Sequence, residues 1–86
     1  SMNSNLNTKI DMRLEDSVIA EIKKNKALVR ALEDLFDRTP FTVMQWIRQN
    51  NPMLCHISAL QIIAAYLKKE MDDLIEKTEA DFINIT

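Results

Sequence analysis

LEDLFDRTPFTVMQWIRQNN, residues 32–51, is the stretch whose reading decides the fold of this 86-residue chain. At its centre, Asp37-Arg38-Thr39-Pro40 holds a helix stop and a helix start side by side. Asp37 follows the last apolar residue of one helical pattern, and aspartate is among the few side chains that tolerate left-handed backbone. Thr39-Pro40 opens the next helix. The threonine oxygen accepts from first-turn amides, and proline at the first helical position has no amide hydrogen to leave unbonded. The spacing predicts a helix over about 26–36, capped by Asn25 and turning Leu28, Leu32, Leu35 and Phe36 inward. A very short turn at Asp37-Arg38 then leads into a helix over about 40–49, which Asn50-Asn51-Pro52 ends. Val43, Trp46 and Ile47 share one face of that helix and are expected to pack inward.

Outward from this stretch the pattern stays helical. Asp16 is expected to cap a first helix over about 17–24, with Val18, Ile19 and Ile22 on its inner face. Ile10, Met12 and Leu14 alternate, which predicts an extended lead-in packed on the core. A fourth helix over about 56–67 places Ile57, Leu60, Ile63, Ala64 and Leu67 on one stripe. After Lys68-Lys69, a short fifth helix over 70–77 carries Met71, Leu74 and Ile75. The expected organisation is a flexible arm at residues 1–9, one domain at 10–77 and a C-terminal tail at 78–86. Phe82, Ile83 and Ile85 in that tail are expected to pack on the body or on a second subunit.

Composition agrees with an all-α, compact five-helix domain. The chain has no glycine and two prolines; hairpins and bulges ordinarily call on glycine, so its absence favours helices. Apolar residues make up 47% and charged residues 28%, the balance of an ordinary globular domain. A single cysteine, Cys55, excludes an internal disulfide and fits a reducing cytoplasm. The apolar run from Ile57 to Leu67 is too short to span a bilayer. The polar N-terminus has no signal-peptide pattern, so a cytoplasmic location is expected.

Two helices joined by a three- or four-residue turn, the second with an apolar inner face and a polar outer one, define a helix-turn-helix. The segment from Lys26 to Asn51 meets that description. Residues 32–51, followed by SALQIIAAYL at 58–67, resemble small helix-turn-helix proteins of the lambda-repressor-like type, especially short bacterial and phage regulators. Thr42, Val43 and Trp46 match the threonine-valine, two residues, tryptophan pattern of that family's recognition helix. The chain departs from the pattern at Glu33, where a small residue is usual, and at Asp37 and Lys68, where glycine is usual.

The resemblance implies a double-stranded DNA partner and assigns the DNA-facing residues. Pro40, Phe41, Met44, Gln45, Arg48 and Gln49 lie off the buried stripe of the 40–49 helix. Gln45 suits bidentate pairing with adenine, Arg48 suits guanine or phosphate, and Phe41 or Met44 suits a thymine methyl. Thr39, Thr42 and the helix N-terminal amides are expected to hold phosphates. Lys26 and Arg30, with Lys23 and Lys24 nearby, are expected to add backbone contacts. Dimerisation is expected because paired half-sites supply useful affinity, with Leu74, Ile75, Phe82, Ile83 and Ile85 as the candidate surface.

The net charge of −2 leaves a second reading open, a protein-interaction adaptor or inhibitor on the same scaffold, which Glu33, Asp34 and Asp37 favour. Enzyme function is not expected. Cys55 and His56 are neighbours that a helix would not turn towards each other, and they lack the further ligands of a zinc site. Asp72, Asp73 and Glu76 lack the pattern of a calcium loop. A chain without glycine has no phosphate-binding glycine loop. No cofactor is implied.

Overall fold

The computed structural model describes residues 12–76. The chain is all-α, with helices α1 (Asp16–Lys24), α2 (Lys26–Phe36), α3 (Pro40–Gln49) and α4 (Ile57–Leu67). Two 3-10 turns, Pro52–Cys55 and Met71–Leu74, precede and follow α4. Among the described residues no helix is long and apolar enough to cross a membrane. Ile10, Leu6, Phe82, Ile83 and Ile85, with the arm and tail expected at either end, lie outside the described residues.

Local chemistry sets the helix ends. The Asn25 side chain accepts from the Leu28 amide at 3.0 Å and so caps α2 one residue after α1 has ended. Thr39 Oγ1 accepts from the Thr42 amide at 3.3 Å, with Pro40 in the first turn of α3. Asp37 ends α2 at φ 55°, ψ 47°, its amide donating to Glu33 O at 2.8 Å. Asp16 is not the cap of α1 but its first residue; Glu15 holds the cap position and makes no side-chain cap bond. Backbone pairing explains the difference. The Glu15 amide donates to Leu74 O at 2.8 Å, which fixes Glu15 as extended, while its carbonyl already accepts from Val18 and Ile19.

Helix α2 lies at the centre and packs against α1, α3 and α4. Leu14, Ile22, Leu28, Leu32, Val43, Ile47, Leu54, Ile63 and Leu74 are fully buried together, and each such side chain contributes about 1.5–3 kcal/mol of burial free energy. Two helical residues expected in the core are not in it: Leu35 is 37% and Ile57 59% exposed. The buried stripe of α4 runs through Ala59, Leu60 and Ile63. At roughly 100° per residue, Ile57 stands about 110° from its centre. On α2, Val29 takes the buried place and Leu35 falls on the rim.

The C-terminal part also differs from expectation. In place of a helix over 70–77, the 3-10 turn Met71–Leu74 delivers Ile75 into an isolated antiparallel bridge with Leu14. The Glu76 amide donates to Arg13 O at 2.7 Å. The expected lead-in is therefore extended and packed at Leu14, although Met12 is 42% exposed. Leu74, expected from sequence on a dimer surface, is buried within its own chain and is not available for one.

Candidate nucleic-acid interface

Helix α3 is locked by its inner face. Val43 and Ile47 are fully buried. Trp46 is half-buried and meets Phe36 of α2 edge to face, with ring centroids 5.2 Å apart and planes at 87°. Such a pair adds about 0.5–1.5 kcal/mol to the burial of the rings and ties α3 to α2. Glu33 is half-buried; a glutamate at this position is compatible with Leu32 and Val43 being fully enclosed.

The opposite face of α3 carries most of the expected site. Phe41 is 70% exposed, and Pro40, Gln45, Arg48 and Gln49 are exposed as well. Thr39 is exposed just ahead of the helix, but its hydroxyl is engaged: it caps the Thr42 amide and donates to Thr42 Oγ1 at 3.1 Å. Thr42 is half-buried. Met44, expected on the outer face, is instead half-buried against the core beside Val43 and Ile47. No residue of α3 carries a carboxylate, and Arg48 is its single charge. Lys26 and Arg30 are exposed on α2, one helical turn apart.

The structure joins to this face a group of residues that the sequence did not bring together. Arg13, Asp16, Lys23, Lys24, Arg48 and Asn50 line an open cleft where the ends of α1 and α3 meet the lead-in. Asn50 is 9% exposed and left-handed, at φ 53°, ψ 52°. Its amide spans the Leu14 backbone: Oδ1 accepts from Leu14 N at 3.1 Å and Nδ2 donates to Leu14 O at 2.8 Å. In the sequence Asn50 signals only the end of a helix. Its second role depends on a partner 36 residues upstream.

The remaining chemistry-bearing residues stay apart. Cys55 is half-buried, and burial pushes its thiol pKa up, which disfavours the nucleophilic thiolate. His56 is exposed at the start of α4. Among the described residues no three His, Cys, Asp or Glu side chains are placed to share a metal ion.

Comparison with known protein families, curated proteins and solved structures finds no match to this chain.

Proposed function

We propose that this chain is a DNA-binding transcriptional regulator in which α2, the turn at residues 37–39 and α3 form a helix-turn-helix, with α3 reading the major groove. The observation that carries this reading is the outer face of α3. It is free of carboxylates, it presents Phe41, Gln45, Arg48 and Gln49 to solvent, and its inner face is fixed by Val43 and Ile47. A helix that is rigidly held, polar outward and neutral to positive is what base readout requires. Gln45 pairs with adenine and Arg48 with guanine or an adjacent phosphate. Phe41 touches a thymine methyl, and the α3 N-terminus approaches the backbone. A regulator of this kind, like the bacterial and phage proteins it resembles, acts as a dimer on paired half-sites in the compartment that holds the DNA.

The test is a titration of the full chain into mixed-sequence duplex at low salt, followed by selection of bound sequences. Binding that weakens steeply with salt is expected. Replacing Gln45 and Arg48 by alanine is expected to cost about 1–3 kcal/mol for each base that is no longer read, with the fold unchanged. A flat titration of the wild-type chain removes the reading.

The adaptor reading draws support from a different observation: Phe41, Ile57 and Tyr66 are exposed at 70%, 59% and 44% on a chain of net charge −2. It predicts that the Gln45 and Arg48 replacements leave duplex affinity as weak as it began.

A further inference from the structure

We infer that the cleft between α1 and the C-terminal end of α3 is a phosphate-binding site that takes consecutive phosphates of a nucleic-acid backbone as the strand leaves α3. The inference rests on the DNA reading and adds to it the surface on which the backbone is anchored. Its basis is a convergence of cations from three separate parts of the chain. Arg13 comes from the lead-in, Lys23 and Lys24 from the last turn of α1, and Arg48 from the last turn of α3. The single carboxylate among the lining residues, Asp16, is not within ion-pair distance of any of them. Among the described residues, none of the four has an ion-pair partner; the ion pair of Lys69 with Glu21, at 3.7 Å, involves none of them.

A simpler account has these cations complementing the negative ends of two helices. The magnitudes decide against it as the whole explanation. Each helix C-terminus carries about half a negative charge, so the two ends offset at most about one of the four cations. Asp16 offsets another. About two positive charges remain facing an open cleft, and an external anion is the natural complement. Arginine at two positions supplies planar donor forks, which match phosphate oxygens better than ammonium groups do.

The walls of the cleft are held in place. Asn50 clamps the Leu14 backbone to the end of α3, and the Glu76 amide holds the Arg13 carbonyl at 2.7 Å. Arg13 and Arg48 are thus mounted on backbone whose relative position is fixed before any ligand arrives, which lowers the ordering cost of binding. Arg48 and Gln49 belong both to the cleft and to the exposed face of α3. A strand lying along that face therefore continues into the cleft, which favours a polymer backbone over an isolated small anion. Lys26 and Arg30, expected from sequence to supply backbone contacts, do not line it.

The experiment compares the full wild-type chain with the triple variant Arg13→Gln, Lys23→Gln, Lys24→Gln. All three side chains are exposed, so the fold is checked by a cooperative thermal transition and unchanged amide resonances away from the cleft. Duplex affinity is measured across a salt series, and inorganic tripolyphosphate is titrated while the Asn50 side-chain amide and the arginine Nε resonances are followed. If the cleft anchors the backbone, the slope of log K against log salt falls by about 2–3, close to one per phosphate that the variant leaves unneutralised. Tripolyphosphate then shifts the cleft resonances of the wild type and not those of the variant. Wild-type slope and affinity in the variant overturn the inference and leave the reading of α3 standing. If the wild-type chain ignores duplex, the DNA reading falls and the tripolyphosphate arm alone decides the cleft: shifts confined to it support a phosphate site, and none overturns it.

Discussion

Replacing Asn50 by glycine is expected to loosen the lead-in and destabilise the whole domain. The Asn50 amide makes two hydrogen bonds to the Leu14 backbone, at 3.1 and 2.8 Å, both in a buried setting. Without it the Leu14 amide and carbonyl lose their partners, at about 1–3 kcal/mol for each buried group left unsatisfied. Glycine at the same position removes the left-handed strain, worth about 1 kcal/mol. The net loss is then about 1–5 kcal/mol, a large share of the roughly 4–13 kcal/mol that a domain of this length possesses. Asn50→Ala isolates the strain, because it removes the same bonds while keeping a Cβ in the left-handed region; it is expected to lie about 1–2 kcal/mol below Asn50→Gly. Urea unfolding measures both, provided the denaturant slopes agree. Amide hydrogen exchange locates the effect: Leu14, Glu15 and Glu76 lose protection before the α2 core does. Asn50→Gly within about 0.5 kcal/mol of wild type, with Leu14 still protected, refutes the clamp.

Lys68 ends α4 at φ 57°, and its side chain is exposed. Lys68→Gly is therefore expected to stabilise by about 0.5–1 kcal/mol, read as a higher urea midpoint, because relieved strain exceeds the added unfolded-state entropy. The Cys55 thiol pKa is raised by burial, so folding favours its protonated form. Its contribution to stability is complete below the pKa of the unfolded thiol and is lost as pH rises through the higher folded value. Alkylation at mildly alkaline pH should be slower in the folded chain than in urea, and equal rates would contradict this. Asp37→Asn removes an exposed negative charge three residues ahead of α3. Duplex affinity should rise severalfold at low salt and converge with wild type at high salt; unchanged affinity at low salt would place the Asp37 carboxylate away from the backbone.

Where a structural feature depends on residues within one helical turn, the sequence disclosed it. Asn25, Thr39 and Asp37 each act on groups three or four residues away, and all three hold the positions their chemistry dictates. The failures involve distant partners. Leu14 and Ile75 form a single bridge across the length of the domain, and one bridge leaves no alternating run to read. Without it, Met71, Leu74 and Ile75 look like one face of a helix. Ile57 and Leu35 fail for a related reason: a hydrophobic stripe can be rotated by a residue or two, and only the neighbouring helices decide which edge is covered. The outer face of α3 was legible, apart from Met44, because its inner face was. Arg13 was not, because it joins the candidate site only when Asn50 grips the adjacent residue.

The three left-handed helix ends bear on how such a site would work. A chain without glycine places Asp37, Asn50 and Lys68 in that conformation. The Asn50 side chain hydrogen-bonds from its left-handed position to the Leu14 backbone, and it thereby sets the wall of the cationic cleft. Asp37 has the opposite electrostatic effect. It lies three residues ahead of α3, whose N-terminus carries the positive end of a helix dipole, and Arg38 beside it carries the opposite charge. The Asp37 charge is unfavourable at the C-terminus of α2, which it caps. The two charges offset, so the N-terminal end of α3 offers an anion little beyond its backbone amides. The C-terminal end, with Arg48, Arg13, Lys23 and Lys24, is a better one than its dipole would suggest. Side-chain charge thus opposes, at the C-terminal end, the polarity that the helix imposes. A duplex held by α3 would then draw more of its backbone affinity from the Arg48 end than from the Thr39 end, with Gln45 on the exposed face between them.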